Sequence, residues 1–173
     1  AASYYYSIAA IAGKSSIQLT GLNQKSFQGD AVVAELYESF GVETSYDDGA
    51  VRLSKSNIGQ SDSFEHNFIL CPDIAQTMAV TCGALGINGL FSGLQTLSIK
   101  ETDRIAALKT ELGKLGVSFS KMPAKFSSLT GEEYFYVSGK ASFPDSVTFP
   151  TYEDHRMAMS FAPLAVLHPI IIE

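Results

Sequence analysis

Residues 75 positions apart match in kind through much of the chain: Val33 with Leu108, Tyr37 with Leu112, Phe40 with Leu115, and Gly41 with Gly116. A second offset, of 81, pairs Asp73 with Asp154 and Met78 with Met159. Solenoid repeats run to roughly 50 residues, so units of this length are too long to stack as one. Each can instead hold several helices and strands. The periodicity therefore points to a single α/β domain of 173 residues with three-fold pseudo-symmetry.

The elements within each unit follow from the apolar spacing. Tyr4, Ile8 and Ile11 lie at i, i+4 and i+7, which predicts a helix over Ser3–Ala12 closed by Gly13. Ile17 and Leu19 alternate with Gln18 and Thr20, as in a half-buried strand. A helix from Gly29 to Phe40 buries Val33, Leu36, Tyr37 and Phe40, and strands Val42–Tyr46 and Ala50–Leu53 flank a hairpin turn at Asp47-Asp48-Gly49. The order then recurs. His66–Cys71 reads as a strand, and Pro72-Asp73 opens a helix burying Ile74, Met78, Cys82 and Leu85. Asn88-Gly89 turns into a strand over Leu90–Leu94, a helix covers Lys100–Leu115, and strands follow near Val117–Ser120 and Tyr134–Val137, joined by loop 123–131. A third copy starts with Val147-Thr148-Phe149 and a helix headed by Asp154, burying Met157, Phe161 and Leu164 and kinked by Pro163. The unit is βαβαββ, with two copies nearly whole and a third begun.

Composition narrows the function. The net charge is −6, which argues against nucleic acid or an anionic membrane as a general partner. No apolar run approaches the roughly 18 residues of a membrane span. Cys71 and Cys82 lie eleven apart and there are three histidines, so neither a disulfide framework nor a metal-ligand pattern is present, and two free thiols suit a reducing cytoplasm. The chain opens inside a helical pattern without Met or a basic leader, and stops on the strand-like Pro169–Glu173. A fragment is expected.

Charged residues gather where helices are expected to begin. Ser98 and Glu101 have capping-box spacing, which predicts a helix start near Lys100. Lys100 and Arg104 would then share one face of a first turn, where the helix dipole is already positive. Two cations there call for an anion, and a helix N-terminus accepts one. The plainer reading is an exposed first turn with an i,i+3 ion pair between Glu101 and Arg104. Asp73 after Pro72 is either a simple N-cap or a carboxylate able to accept a proton from a hydroxyl. Asp154-His155-Arg156 repeats the arrangement, with Arg156 either a solvated surface cation or part of the same anion site. His155 alone reads as a hydrogen-bonding residue. No Gly-rich phosphate loop or Gly-x-Ser-x-Gly elbow is present, so nucleotide cofactors and acyl-enzyme chemistry have no support.

Ile99-Lys100-Glu101-Thr102-Asp103-Arg104-Ile105 and Asp154-His155-Arg156-Met157-Ala158-Met159 closely resemble the two signature segments of the 3-phosphoshikimate 1-carboxyvinyltransferase (EPSP synthase) family. Ser26-Phe27-Gln28-Gly29-Asp30 and Pro72-Asp73 resemble further pieces of it, in order along nearly the whole chain. The resemblance implies two lobes of βαβαββ units, each an inside-out α/β barrel, with substrates between them. Residues 1–173 would be one domain, most of the C-terminal lobe, and the N-terminal lobe and extreme C-terminus would be absent. The implied reaction moves the enolpyruvyl group of phosphoenolpyruvate to the 5-hydroxyl of shikimate 3-phosphate. Asp73 would hold the ring hydroxyl and serve as base, Lys100 would bridge the substrates, and Glu101 would handle the proton at the methylene carbon. Arg104 and Arg156 would grip phosphoenolpyruvate, with His155 donating a hydrogen bond beside them. As first-turn cations, both arginines should be removable without harm to the fold. No metal or organic cofactor is implied. The alternatives are UDP-N-acetylglucosamine enolpyruvyl transferase and a non-catalytic anion-binding lobe.

Overall fold

Three helices, one from each unit, pack together at the centre and the sheets lie outside them. The computed structural model describes residues 2–21, 32–47, 49–55, 61–125 and 131–173. Helices α1 (Ala2–Ile11) and α3 (Ala75–Leu85) pack on each other, and α5 (His155–Phe161) packs on α3. Apart from Leu85, every residue of α3 is buried, including Gln76, Thr77 and Thr81. Those polar groups are satisfied by neighbouring units, as buried groups must be. The Thr81 hydroxyl donates to the Thr77 carbonyl and so accepts from Ser7 of α1, at 2.7 Å, and from Tyr37, at 3.0 Å. Thr77 meets Ser160 of α5 at 3.3 Å. Burial raises the Tyr37 hydroxyl far above its ordinary pKa despite these bonds, so it remains a donor.

The sheets repeat one pattern. In the first unit β1 (Ser16–Thr20), β2 (Val42–Asp47) and β3 (Ala50–Lys55) form an antiparallel sheet of order β1-β3-β2. In the second, β4 (Ser63–Asn67), β5 (Asn88–Ser92), β6 (Ser118–Lys121) and β7 (Phe135–Ser138) form a sheet of order β4-β5-β7-β6. There β4 and β5 are parallel, joined across α3, and β5, β7 and β6 pair antiparallel. In the third, β8 (Thr148–Phe149) and β9 (Ile171–Ile172) pair parallel across α5, as β4 and β5 do across α3. The offset of 75 is structural: α2 (Val33–Glu38) and α4 (Arg104–Gly113) lead through Gly41, φ 76°, and Gly116, φ 75°, into equivalent strands. Val33, Tyr37 and Phe40 are buried, as are Leu108, Leu112 and Leu115.

Several expected boundaries move. The start of the second helix at Gly29, residue Asp48 of the hairpin turn, the 26–30 segment and part of loop 123–131 lie outside the described residues. The strand expected at His66–Cys71 is Ser63–Asn67, because the Asn67 side chain accepts the Ile69 N–H at 3.0 Å and starts a 3-10 turn over Phe68–Leu70. Asn88-Gly89 lies inside β5, and the turn before it is made by Gly86 in the left-handed conformation. The offset of 81 holds less well. Met78 is buried and Met159 is 41% exposed, since α3 is reached through an extra 3-10 turn, Pro72–Ile74, and Met157 takes the buried place in α5. Pro163 acts as expected: α5 ends at Phe161 and continues as a 3-10 turn over Ala162–Val166. No helix among the described residues is long and apolar enough to cross a membrane.

Candidate active site

The helix expected to begin near Lys100 begins at Arg104. Asp103 is its N-cap, accepting the Ala106 N–H at 3.0 Å, while the Ser98 hydroxyl donates to the Gln95 carbonyl inside a preceding 3-10 turn, Gln95–Ile99. The Ser98–Glu101 capping box does not form, because the chain turns back before a helix can start there. Lys100 and Glu101 therefore project from a short bent link, and helical spacing does not bring Lys100 to Arg104. A carboxylate does.

That carboxylate is Asp73. Its Oδ1 lies 3.2 Å from Arg104 Nη1 and 3.8 Å from Lys100 Nζ, and its Oδ2 lies 3.0 Å from Arg156 Nη2. Neither the 3-10 turn at Pro72 nor α3 takes a side-chain cap from Asp73, so the N-cap role is corrected. The carboxylate stays partly open to solvent, at 27% exposure. Asp73 of the second unit, Lys100 of the link and Arg156 of α5 thus converge on one point, as the pseudo-symmetry requires.

Arg104 differs most from expectation. Its side chain is fully buried. Nε donates to Asp154 Oδ2 at 2.6 Å, Nη2 to Glu101 Oε2 at 2.5 Å and to Asp154 Oδ1 at 3.3 Å, and Nη1 to Asp73. The Gln76 amide, turned with its oxygen towards Arg104 Nε at 3.1 Å and its nitrogen towards the Asp73 carbonyl at 3.3 Å, closes the inner side. The i,i+3 pair with Glu101 exists and Glu101 is exposed, but its partner Arg104 is buried. An arginine held this way ties the cluster together, which runs against the expectation that it can be lost without harm to the fold.

Arg156 keeps the looser environment expected of a ligand contact, with its side chain 28% exposed. Tyr4 of α1 contacts its guanidinium, and burial raises the Tyr4 hydroxyl pKa although Arg156 favours the phenolate. Asp154 caps α5 by accepting the Arg156 N–H at 2.8 Å while it binds Arg104. Burial alone would raise its carboxyl, but hydrogen bonds from Arg104 and the Arg156 N–H outweigh that and hold it below the ordinary value. His155 is exposed beside Arg156. Lys100, Arg104 and Arg156 face Asp73, Glu101 and Asp154, so charge is matched within the cluster.

Sequence reasoning found Asp73, Lys100, Glu101, Arg104 and Arg156, and the structure brings all of them together. It missed Tyr4 and Gln76, which carry no motif, and it read Asp154 as a cap only. The equal spacing of Asp73 and Asp154 in their units was the available signal for the last. Among the described residues, no group of His, Cys, Asp and Glu side chains is arranged to hold a metal ion.

Known proteins share this architecture. Residues 1–173 match the family model described as EPSP synthase (3-phosphoshikimate 1-carboxyvinyltransferase). A 3-phosphoshikimate 1-carboxyvinyltransferase of Bacteroides fragilis is 43% identical over 171 residues, covering 99% of this chain and 40% of the relative. The protein of the same name from Aliivibrio salmonicida is 36% identical over 167 residues, covering 95% of this chain and 35% of its own length. The chain thus spans about two fifths of the curated relatives it matches. The EPSP synthase structure from Acinetobacter baumannii superposes with a TM-score of 0.62 at 20% identity, over 95% of this chain and 38% of that one, and shares the fold.

Proposed function

The chain belongs to the EPSP synthase (3-phosphoshikimate 1-carboxyvinyltransferase) family, and on that premise we propose that it forms most of the C-terminal lobe of a two-lobe enolpyruvyl transferase. The protein transfers the enolpyruvyl group of phosphoenolpyruvate to the 5-hydroxyl of shikimate 3-phosphate and releases phosphate, in the cytoplasm. The observation that carries this reading is Asp73 ringed by Lys100, Arg104 and Arg156 from three separate segments. A partly open carboxylate amid three cations can take a hydroxyl proton next to a bound anion.

The 5-hydroxyl oxygen attacks C2 of phosphoenolpyruvate and gives its proton to Asp73, while the methylene carbon gains a proton from Glu101, which enters the step as the carboxylic acid after leaving Arg104. The tetrahedral adduct then loses phosphate, which carries away the proton held by Asp73, and Glu101 recovers a proton from the new methyl group. Lys100, within reach of Asp73, bridges the two substrates. Arg156 offers phosphoenolpyruvate its open guanidinium, a planar fork that matches carboxylate and phosphate. Arg104 joins it once Glu101 turns from Nη2 towards the methylene carbon, and His155 adds a hydrogen bond at the rim. Catalysis by proximity needs both substrates held against a second lobe. Residues 1–173 alone therefore fold but do not turn over.

The deciding experiment measures phosphate release by the full-length enzyme with phosphoenolpyruvate and either shikimate 3-phosphate or UDP-N-acetylglucosamine. Release with the first acceptor only is expected. Release with the second only, or with neither, overturns the reading.

A further inference from the structure

The site is tied down a second time, further along the same face of α4, by residues the reaction does not use. Glu111, two turns along α4 from Arg104, is 1% exposed. Its Oε1 accepts the Tyr152 hydroxyl at 2.5 Å, and its Oε2 pairs with Lys114 Nζ at 2.6 Å. Lys114 donates in turn to the Thr148 carbonyl of β8, at 2.8 Å. Burial, and then the Glu111 carboxylate, push the Tyr152 hydroxyl up to about 12, so it stays a donor.

Tyr152 is conformationally unusual. It and Glu153 both have φ of 56°, and among the described residues they are the non-glycine positions with positive φ. They form the centre of a tight turn closed by the Asp154 N–H on the Thr151 carbonyl, at 2.9 Å. Side chains in this region are strained, and such conformations persist only where surrounding contacts impose them. The next residues are Asp154 and Arg156.

We propose that Glu111 and Tyr152 are a positioning pair, whose buried hydrogen bond holds the strained 152–153 turn and thereby aims Asp154 at Arg104 and Arg156 at Asp73. Helix α4 then grips the α5 start at two points, through Arg104–Asp154 and through Glu111–Tyr152. The first is part of the site. The second fixes the angle of approach. The placement stands on its own, and only the kinetic consequence rests on the proposed function.

The test is Tyr152→Phe in the full-length enzyme, which keeps the ring and removes the donor. The first readout is hydrogen exchange at Arg104 Nε–H, which is buried against Asp154 and does not touch Tyr152. Loss of a hydrogen bond to a charged group should speed it about tenfold or more. Adding Glu153→Gly, which makes positive φ easy without the hydrogen bond, should bring the exchange back towards the wild-type rate. The second readout is KM for phosphoenolpyruvate, expected to rise about tenfold and to recover in the double variant, with KM for shikimate 3-phosphate changed little. Unchanged Arg104 exchange in Tyr152→Phe overturns the proposal. So does faster exchange that follows a global loss of stability and is not reversed by Glu153→Gly. If the wild-type enzyme shows no enolpyruvyl transfer, the function fails separately and the exchange result still decides the positioning role.

Discussion

Arg104 and Asp154, fifty residues apart in sequence, meet through a 2.6 Å bond between two fully buried side chains. The contact joins the first residue of α4 to the cap of α5, and so couples two units of the repeat at the place where the site is built.

The two arginines should therefore behave differently. Arg104→Lys keeps the charge but cannot bond Asp154, Asp73 and Glu101 together, so the buried Asp154 carboxylate loses its fork-shaped partner. Breaking a buried pair costs about 3–5 kcal/mol, and the lysine charge should return part of that. Arg156→Lys removes a fork that is partly in solvent, so stability should change by under about 1 kcal/mol. The cost appears instead in phosphoenolpyruvate binding, at roughly 10- to 150-fold for a lost charge-assisted contact. Melting temperatures of the unliganded variants, set beside KM for phosphoenolpyruvate, check both. Equal effects on stability would refute the distinction.

Asp154 gives a pH dependence with a definite sign. Its folded-state pKa is lowered from the ordinary 3.8 because hydrogen bonds from Arg104 and the Arg156 N–H outweigh the upward push of burial. As pH falls, the unfolded chain therefore takes up the proton first, and stability is lost. The contribution is complete above about pH 5 and fades from about pH 4 down through the lowered value. Asp154→Asn keeps the cap and removes the charge, so it should cost about 3 kcal/mol at neutral pH, the low end for a broken buried pair. Urea unfolding of both proteins at pH 7 and pH 3 should show that gap narrowing at pH 3. A constant gap would mean that Asp154 is not the ionised partner.

The sequence carried the repeat well because buried positions and turn glycines leave a periodic trace: Val33, Tyr37 and Phe40 have counterparts in Leu108, Leu112 and Leu115 with the same burial. The site residues were legible as motifs but their roles were only partly so. Ser98 and Glu101 had the spacing of a capping box, yet Asp103 won the cap because a 3-10 turn already used the Ser98 hydroxyl. Local spacing cannot reveal that Arg104 points inward, since its partners Asp73 and Asp154 lie 31 and 50 residues away in sequence. The strained pair Tyr152-Glu153 left no trace, because nothing in those residue types asks for positive φ.

Gly93 supports the approach to Asp73. It has φ of +74°, and an added Cβ would stand 2.3 Å from Asn67 Oδ1 and 2.4 Å from the Ile69 nitrogen. Those two atoms form the bond that ends β4 and starts the turn leading to Pro72-Asp73. Gly93→Ala should cost about 2–4 kcal/mol from left-handed strain and overpacking together. The denaturant midpoint reports it, and a loss under 0.5 kcal/mol would show that the Asn67 cap is dispensable.

Glu101 should separate chemistry from stability. Its side chain is 52% exposed and bonds only the outer nitrogen of Arg104, which keeps Asp154 and Asp73 without it. Glu101→Gln retains the size and can still accept from Nη2, so unfolding stability should change by no more than about 1 kcal/mol, as for exposed pairs. The carboxyl proposed to transfer the proton is nonetheless gone. If Glu101 protonates the methylene carbon and later removes a proton from it, kcat should fall by about 10²–10⁴-fold, the usual loss of a general acid/base. KM for both substrates should move far less, because glutamine fills the same space and the proposed phosphoenolpyruvate contact of Arg156 is left in place. Exchange of solvent deuterium into the methylene position of phosphoenolpyruvate offers a second measure and should fall in parallel with kcat. An unchanged kcat, or a fall in kcat that follows a fall in melting temperature, would return Glu101 to the role of a simple partner for Arg104.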